Sequence, residues 1–579
     1  MSATPILRRN PVLGEITDHE LLFDALLSAR GAHTSKDREL SLSGLLSPTL
    51  MSGCSDAAAI LERAITENQR ILVVGDFDAD GATSSALAVS ALSAFGARRV
   101  DYLVPNRFEY GYGLSPEIVE VARERSPDVL ITVDNGISSV EGVALARSFG
   151  WKVIVTDHHL APEILPDASV IVNPNQPDCR FPSKALAGVG VMFYVLVALR
   201  SALRGSHYFD RAGLVEPNLA EWLDLVAVGS VADLVPLDVN NRILVEQGLR
   251  RIRAGLARPG IRALLKVAGR SHETLVAQDI GFAVGPRINA AGRLDDMSIG
   301  IRCLLASDDR EAESLAQELD TLNRDRRSIE QTMKEDAERA LDNLGITLKR
   351  VPYGIVLFDP SWHQGVVGIL ASRIKERFNR PAVIFAQGEQ GELKGSARSI
   401  EGLHIRDALD LVAKTNPGMI LKFGGHAMAA GLTISVSALD EFSLAFESTV
   451  EKLVNDEMLE PTQCSDGELS PHFFDLSFAR QLRVLQPWGQ KFPEPVFDGV
   501  FQVHQKRVVG LRHVKLTLIP AGSSTAVDAI AFNADLGLYE QSEGCALQMV
   551  YRLDVNEFRG LESLQLVILY AERVKDIHS

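Results

Sequence analysis

Short apolar runs alternate with amphipathic runs over the first third of the chain. Ile71–Gly75 and Val129–Val133 are rich in branched apolar side chains, which is typical of strands buried in a parallel sheet. The predicted strands cover 71–75, 99–104, 129–133, 152–156 and 169–172, and the predicted helices cover 57–67, 82–95, 117–125 and 142–148. This alternation predicts an α/β fold with a doubly wound parallel sheet.

The pattern changes twice further along the chain. Residues 305–345 lack Gly and Pro before Gly345 and carry apolar side chains at helical spacing among charged ones, which predicts a long helix between two domains. A second α/β unit follows, with strands predicted at 353–358 and 382–386 and a helix at 366–378. Five short apolar runs then predict a small β-barrel; they cover 500–508, 513–519, 527–532, 547–553 and 564–569.

These changes divide the chain into five parts. We predict an N-terminal extension (1–50), a parallel-sheet domain (51–300), a connecting helix (301–348), a second α/β domain (349–460) and a C-terminal barrel (461–579). A chain of 579 residues is too long for one core, so three or four domains are expected.

Composition points to a globular protein of a reducing compartment. The chain has no apolar run near the roughly 20 residues of a membrane span, and its first ten residues lack the apolar core of a signal peptide. The five cysteines are scattered and never in Cys-x-x-Cys spacing, which argues against disulfides and zinc and favours the cytoplasm. The net charge of −16 decides little, because a local basic groove can still bind nucleic acid.

Acidic and imidazole side chains follow three of the predicted strands. They are Asp76, Asp78 and Asp80 after the first strand, Asp134 after the third, and Asp157, His158 and His159 after the fourth. If the first segment is extended, its three carboxylates lie on one side. Since the carboxyl ends of parallel strands meet at one edge, the sequence predicts a divalent-cation site there. Carboxylates with imidazoles suit Mn²⁺ or Mg²⁺ better than zinc, whereas a single aspartate at a strand end is commonly only a helix cap.

The same residues resemble a known superfamily. Asp157-His158-His159 after a strand, with Asp-x-Asp-x-Asp and Asp134-Asn-Gly upstream, is similar to the DHH phosphoesterase superfamily, and 229–237 resembles its fourth acidic motif. The runs that begin at Arg287 (Arg-Ile-Asn-Ala-Ala-Gly-Arg-Leu), at Trp362 (Trp-His-Gln-Gly-Val-Val-Gly) and at Gly424 (Gly-Gly-His-Ala-Met-Ala-Ala-Gly) resemble motifs of the RecJ family of single-strand-specific 5′→3′ DNA exonucleases. The resemblance implies a DHH domain at 51–300, a DHH-associated substrate-binding domain at 349–460 and an OB-fold DNA-binding domain at 461–579.

The resemblance also implies a site for two divalent ions, Mn²⁺ or Mg²⁺. The implied ligands are Asp78, Asp80, Asp134, His158 and Asp233, with Asp134 as the candidate bridge. Asp76, Asp157, His159 and His426 complete the implied catalytic set. Asp157 would orient an imidazole and His426 would act on a phosphate oxygen. Some relatives have a metal-binding His where this chain has Val74, and Asp76 is the candidate replacement.

Candidate substrate-binding residues lie in the same motifs and in nearby loops. They are Arg107, Tyr110, Tyr112, Arg287, Asn289, Arg293, His363, Arg373, Ser396, Arg398, Gly424 and Gly425. Guanidinium groups can grip a phosphate, aromatic rings can stack on bases, and glycines let backbone N–H groups approach a ligand. For 105–113 an ordinary glycine-rich turn with packed aromatics is the alternative interpretation. In the barrel, the candidate contacts for a DNA backbone are His504, Lys506, Arg507, Arg512 and Lys515.

The implied function is metal-dependent hydrolysis of single-stranded DNA from its 5′ end to mononucleotides, in DNA repair and recombination. The implied partners are single-stranded DNA, a single-strand-binding protein and a helicase, with no membrane, and the chain is expected to act as a monomer. A phosphatase of the haloacid-dehalogenase type is a competing hypothesis, because Asp78-Ala-Asp80-Gly81 resembles the nucleophile motif of that family. However, Ala82 stands where that motif has Thr, and 157–159 stays unexplained.

Two further hypotheses lie within the DHH superfamily itself. A small-substrate DHH phosphodiesterase, acting on nano-RNA or a cyclic dinucleotide, fits the motifs, but the C-terminal β domain and the length argue against it. The second hypothesis is a non-catalytic DNA-binding replication scaffold. Such relatives have lost metal ligands, whereas this chain keeps a nearly complete set.

Overall fold

The chain forms two compact units. The structure is a computed structural model that describes residues 5–106, 110, 113–343, 351–389, 391–460, 462–510, 512–558 and 560–574. The first unit joins Leu7–Asp320 to the C-terminal part that begins at Cys464. The second unit is built mainly from Thr321–Gln463. Each unit has its own sheet and its own apolar core.

A parallel sheet organises the first half of the chain. In chain order the elements are β1 (Ile6–Arg8), α1 (His19–Ser28), α2 (Ser35–Arg38), α3 (Cys54–Thr66), β2 (Ile71–Gly75), α4 (Ala79–Ala94), β3 (Val100–Leu103), α5 (Pro116–Arg123), β4 (Val129–Val133), α6 (Val140–Ser148), β5 (Lys152–Thr156) and β6 (Val170–Val172). The strand order is β3-β2-β4-β5-β6, and every pairing is parallel. The predicted α/β fold with a parallel sheet is confirmed.

The register of this sheet fixes where its functional edge lies. Gly75 pairs with Val133, and Val133 pairs with Thr156, so the carboxyl ends of β2, β4 and β5 are level. The strands are almost wholly buried because helices cover both faces. The next residues, Asp76, Asp134 and Asp157, therefore leave three adjacent strands at the same edge.

Helices complete this region. They are α7 (Gly188–Gly205), α8 (Tyr208–Ala212), α9 (Leu223–Ala232), α10 (Val239–Arg253), α11 (Pro259–Val267), α12 (Ala277–Asp279), α13 (Gly285–Leu294), α14 (Ser298–Leu305) and α15 (Asp309–Asn343). Among the described residues, α7 alone is long and apolar enough to cross a membrane by length and composition, and 61% of it is buried inside the structure. It packs against α3, α4 and α9, so its apolar side chains are those of a core helix.

The second unit contains a mixed sheet. Its elements are β7 (Ile355–Phe358), α16 (Val367–Phe378), β8 (Ala382–Gln387), β9 (Glu392–Arg398), α17 (Ile405–Thr415), β10 (Ile420–Gly425), β11 (Ala429–Ser435), α18 (Leu439–Leu453) and α19 (Asp456–Leu459). The order is β10-β11-β9-β8-β7; β7 and β8 are parallel and the other pairs antiparallel. Apolar clusters lie on both faces, as the predicted second α/β unit requires.

The C-terminal strands close into a barrel. The elements are β12 (Gln463–Ser465), α20 (Leu476–Val484), β13 (Phe497–Val509), β14 (His513–Pro520), β15 (Val527–Ala531), α21 (Leu536–Tyr539), β16 (Ala546–Phe558) and β17 (Leu561–Arg573). The closed order is β13-β14-β15-β17-β16, with β15 and β17 parallel. This five-stranded barrel confirms the predicted OB type. The last two strands are longer than predicted because they pair as one long hairpin.

The N-terminal segment packs against this barrel. Leu13, Leu22 and Leu26 belong to the same apolar cluster as the barrel strands. Arg30 forms a bidentate ion pair with Asp466 at 2.7 and 2.8 Å, and both side chains are 1% exposed. The barrel and the N-terminal segment are therefore joined by apolar contacts and by a buried ion pair.

Candidate metal centre

The acidic segment after β2 is only partly extended. Asp78 is the N-cap of α4, and its Oδ1 accepts hydrogen bonds from the N–H groups of Asp80 and Gly81 at 2.9 and 3.0 Å. The helix therefore begins at Ala79, three residues before its predicted start. The expectation of an extended segment with all three carboxylates on one side is wrong, because Asp80 lies in the first helical turn. The carboxylates converge because the chain turns at Asp78.

Asp80 is buried against the start of α7. Its oxygens accept hydrogen bonds from the N–H groups of Gly188 and Val189 at 2.6 and 2.9 Å, and the residue is 1% exposed. Burial, followed by the charge of Asp78, raises the pKa of Asp80 to about 7, against the opposing effect of the two N–H groups. A positive charge at this edge would therefore stabilise the ionised form of Asp80.

Asp134 sits at the centre of the edge. Its backbone has a φ of +63°, and the residue is 1% exposed. Burial and then the charges of Asp80, Asp78, Asp76 and Asp233 hold the pKa of Asp134 well above its usual range. A left-handed backbone at an aspartate is uncommon, and such strain is typical of functional sites.

Glycines allow two helices to approach these carboxylates. A Cβ on Gly188 would lie 2.5 Å from the Cβ of Asp134, and one on Gly229 would lie 2.9 Å from Oδ1 of Asp80. Both helices, α7 and α9, therefore need glycine where they pass the site.

Asp233 ends helix α9. It is the C-cap residue of that helix, where the helix dipole is negative. Burial and then the charges of Asp80 and Asp78 hold the pKa of Asp233 well above its usual range. His158 lies between two of the carboxylates, with Nε2 at 3.1 Å from Oδ1 of Asp134 and 3.5 Å from Oδ2 of Asp233.

The turn after β5 is organised by Asp157. Its Oδ1 accepts from the N–H groups of His158 and His159 at 2.7 and 3.1 Å and lies 2.7 Å from Nδ1 of His159; its Oδ2 accepts from the N–H of Ile137 at 2.9 Å. Burial opposes ionisation of Asp157, but the bonds and charge of His159 lower its pKa. In turn, Asp157 outweighs burial and raises the pKa of His159 to about 9.

Two asparagines that sequence reasoning missed hold the same turn from its other side. Nδ2 of Asn175 donates to the carbonyl of His158 at 2.5 Å, and Nδ2 of Asn173 donates to the carbonyl of His159 at 2.9 Å. The only signal for them in the sequence is Asn173-Pro-Asn directly after a predicted strand.

The donor set fits divalent cations. Three groups have ligand atoms within 4.8 Å of one another: Asp134, His158 and His159; Asp80, His158 and Asp233; Asp76, Asp78 and Asp134. Because the groups share Asp134 and His158, they form one continuous site with room for more than one ion. Oxygen-rich sites with one or two imidazoles match Mn²⁺ and Mg²⁺, and buried like charges of this number need a counter-charge. Val74 is buried in an apolar cluster instead, so Asp76 is the additional carboxylate at this edge.

Helix α13 supports the acidic segment. Oδ1 of Asn289 accepts from the N–H of Ala79 at 2.8 Å, and a Cβ on Gly292 would lie 1.8 Å from the carbonyl oxygen of Phe77. Arg287 is buried and donates to Asp320 and to the carbonyl of Ala283 at 2.9 and 2.7 Å. Arg293 lies in the last turn of the same helix.

The loop after β3 is described only in part. Arg107 and Tyr112 lie outside the described residues. Tyr110 packs against the apolar cluster that contains Leu72 and Ile118, which agrees with a turn that carries packed aromatics.

In the second unit, four predicted residues lie on strands of one sheet: Ser396 and Arg398 on β9, and Gly424 and Gly425 on β10. Ser396 pairs with Gly431, which pairs with Gly424, so the three lie in one row across β9, β11 and β10. Nothing lies within 4 Å of a Cβ built on Gly424, so the sheet is open there. Gly425 follows with a φ of +143°.

Arg398 lies two residues from Ser396 on the same strand. Its guanidinium donates to Oγ of Ser396 at 3.0 Å and to the carbonyl of Ala397 at 2.9 Å. In the described part of the chain it has no carboxylate partner, and burial lowers its pKa. A half-buried guanidinium beside an open glycine row suits a bound anion.

The remaining predicted residues of this unit differ in their surroundings. Nδ1 of His363 accepts from the N–H of Gly365 at 3.0 Å in the turn before α16. Arg373 pairs with Glu330 at 3.2 Å and Glu376 at 3.3 Å. His426 is exposed in the turn between β10 and β11.

Family models match three parts of the chain. The DHH family N-terminal domain matches residues 70–230, the DHHA1 domain matches 351–452, and the RecJ OB domain matches 465–570. The single-stranded-DNA-specific exonuclease RecJ of Dickeya dadantii (strain 3937) is 53% identical over 570 residues, which cover 98% of this chain and 99% of that protein.

Solved structures are similar over nearly the whole chain. Crystal structures of RecJ from Thermus thermophilus in complex with Mn²⁺ and with Mg²⁺ have TM-scores of 0.77 and 0.72 and 30% sequence identity. Each similarity covers 99% of this chain, and 79% and 78% of the respective relatives. The similarity in sequence and in fold spans all three matched domains. The chain therefore belongs to the RecJ family of the DHH phosphoesterase superfamily.

Proposed function

We propose that this chain is a metal-dependent exonuclease that degrades single-stranded DNA from its 5′ end to mononucleotides. The observation that carries the proposal is the continuous group of five aspartates and two histidines at the carboxyl edge of the parallel sheet. Membership of a family whose relatives are named single-stranded-DNA-specific exonucleases supplies the substrate class. A two-metal phosphodiester hydrolysis fits this arrangement.

The residues divide by what they hold. Asp78, Asp80, Asp134, His158 and Asp233 would hold two divalent ions, Mn²⁺ or Mg²⁺, with Asp134 shared and Asp76 adjacent. When bound, such ions would lower the pKa of a water so that it can attack a phosphate as hydroxide, and they would stabilise negative charge on the phosphate oxygens. Asp157 fixes the ring of His159 through Nδ1. Without metal, the carboxylates keep the pKa of His159 raised to about 9, and the charge of bound cations would oppose that proton.

We propose that the second unit and the barrel bind the DNA. Arg398, Ser396, Gly424 and Gly425 offer an anion site on an open sheet, and His426 lies in the adjoining turn. The proposal includes Arg107, Tyr110, Tyr112, Arg293, His363 and Arg373 as further substrate contacts. Arg287 and Asn289 already bind Asp320 and Ala79, so we propose that they act by holding α13 and the acidic segment.

The wider setting rests on family membership. We propose that the chain acts as a monomer in the cytoplasm, in DNA repair and recombination, beside a single-strand-binding protein and a helicase. The five-part division at 1–50, 51–300, 301–348, 349–460 and 461–579 is part of the same proposal.

Labelled DNA tests the function directly. The protein is incubated with 5′- and 3′-labelled single-stranded and duplex DNA in Mn²⁺, Mg²⁺ or EDTA, beside Asp134→Ala. A matched control is Asp128→Ala, an exposed aspartate before the opposite end of the same strand. We expect mononucleotides from the 5′ end of single strands with metal, no product from Asp134→Ala, and unchanged release by Asp128→Ala.

Different outcomes would favour the competing hypotheses. Inert DNA with turnover of short oligonucleotides or cyclic dinucleotides would support a small-substrate phosphodiesterase. Binding of single strands without any turnover would support a scaffold.

A further inference from the structure

The backbone of the two adjacent histidines is held by side chains on both sides. Asp157 accepts from the N–H groups of His158 and His159. Asn175 and Asn173 donate to the carbonyl oxygens of the same two residues, at 2.5 and 2.9 Å. All four polar backbone groups of the pair are thereby fixed just past the end of β5, where the pairing with neighbouring strands has stopped.

The orientation of the Asn173 amide is itself determined. Oδ1 of Asn173 accepts from the N–H of Asn175 at 2.7 Å, so its Nδ2 must point the other way, toward His159. Asn173 is 0% exposed, and Nζ of Lys184 donates to the carbonyl of Pro174 between the two asparagines at 2.6 Å. The segment 173–175 is therefore a rigid donor pair and not a loosely attached loop.

We infer that Asn173 and Asn175 are positioning residues that set the direction of the His158 and His159 rings toward the metal centre. A rotation of either peptide would swing its imidazole, and Nε2 of His158 is within 3.5 Å of both Asp134 and Asp233. Partners that orient metal ligands typically change metal affinity by about 10- to 100-fold when they are lost. The inference rests on the proposed metal-dependent function.

Metal affinity separates positioning from simple stability. Mn²⁺ binding to the full chain is measured by electron paramagnetic resonance of free Mn²⁺, together with the melting temperature in EDTA. Asn175→Ala removes the donor to His158. Gln176→Leu is the matched control, because Nε2 of Gln176 donates to the carbonyls of Ile171 and Asn173 at 3.2 and 3.3 Å in the same loop but to neither histidine.

We expect Asn175→Ala to bind Mn²⁺ about 10- to 100-fold more weakly than the parent chain, while its melting temperature in EDTA falls no further than that of Gln176→Leu. If Asn175→Ala does not fold, Asn175→Asp, which keeps the volume but loses the donor, takes its place under the same criterion.

Three results decide the matter. Affinity within twofold of the parent chain, or an equal loss in Gln176→Leu, would overturn the positioning role. A parent chain that itself binds no Mn²⁺ would overturn the proposed function, so the two failures are distinguishable.

Discussion

Oδ1 of Asn289 accepts a hydrogen bond of 2.8 Å from the backbone N–H of Ala79, the first residue of α4. The bond satisfies one of the N–H groups that every helix start leaves without an intrahelical partner. It also ties α13 to the segment that carries Asp78 and Asp80. One side chain therefore supports both a helix end and two proposed metal ligands.

Asn289→Ala should lower both the free energy of unfolding and the affinity of the protein for Mn²⁺. Loss of a capping bond costs about 0.5–2 kcal/mol of unfolding free energy, and a loosened acidic segment should bind Mn²⁺ less tightly. Asn218→Ala is the control, because Asn218 caps the short 3₁₀ helix Leu219–Trp222 by accepting from the N–H of Ala220 at 3.2 Å. Titration with Mn²⁺ should show a loss for Asn289→Ala alone; equal affinities in the two variants would contradict the link to the metal centre.

Gly188→Ala should disrupt the centre by steric contact. The new Cβ would lie 2.5 Å from the Cβ and 2.7 Å from Oδ1 of Asp134, so the helix or the carboxylate must move. Overpacking of this kind typically costs about 1–3 kcal/mol. Denaturant unfolding and Mn²⁺ titration measure the two effects.

The other end of the same helix provides the control for that variant. Nothing lies within 4 Å of a Cβ built on Gly205, the last residue of α7. Gly205→Ala should therefore be neutral or stabilise by up to about 1 kcal/mol. A Gly188→Ala protein with normal Mn²⁺ affinity would show that α7 can shift without disturbing the site.

Without metal, the melting temperature should fall as pH rises from about 5 to 8. Burial raises the pKa of Asp80 from 3.8 to about 7. Between these two pH values the folded protein keeps a proton that the unfolded chain has already released. The stabilisation is complete below the unfolded pKa and is lost as pH rises through the folded value, at up to about 1.4 kcal/mol per pH unit for one proton.

Two comparisons test this dependence by differential scanning fluorimetry. Saturating Mn²⁺ should remove the fall, because bound cations stabilise the ionised carboxylates. Asp80→Asn, which cannot titrate, should make the fall in EDTA less steep, and the raised pKa values of Asp134, Asp233 and His159 account for the part that remains. A melting temperature in EDTA that rises between pH 5 and 8 would be inconsistent with a protonated Asp80.

Arg398→Ala should raise KM for single-stranded DNA with little change in kcat. Within the described part of the chain, the partners of this guanidinium are all neutral, so it is available to an anion. A hydrogen bond to a charged group contributes about 1.5–3 kcal/mol, which corresponds to about a 10- to 150-fold change in affinity.

The control for Arg398 is an arginine that already has a carboxylate. Arg377→Ala removes a guanidinium paired with Glu338 at 2.8 Å, and steady-state kinetics should be unchanged. If the two variants have the same KM, Arg398 supports the sheet and does not contact the substrate.

Asp466→Ala should destabilise the junction between the N-terminal segment and the barrel. It leaves Arg30 buried without its carboxylate, a loss that typically costs about 3–5 kcal/mol. Glu468→Ala removes only the exposed pair with Arg8 at 2.8 Å, where about 0–1 kcal/mol is expected. Urea unfolding that shows equal costs for both variants would mean that water reaches Arg30.

The sequence predicts that the carboxylates and imidazoles of the candidate metal centre converge, because most of them follow strands, and the ends of adjacent parallel strands must meet. Periodicity predicts β2, β4 and β5 to the residue. It misses that α4 begins at Ala79, because a capping aspartate and an extended aspartate look alike in a sequence. It also misses Asn173 and Asn175, since their role depends on the distance to His158 and His159 across the fold.

Chain order has a consequence for how this protein is made. Leu22 and Leu26 leave the ribosome long before the barrel side chains they pack against, such as Phe478 and Phe497, which are made more than 450 residues later. During that interval the early apolar residues lack their final partners, and exposed apolar surface invites aggregation. The nascent chain should therefore depend on chaperones until the barrel strands emerge, and ribosome-bound chains stalled before residue 464 should remain sensitive to proteases near Leu22 and Leu26.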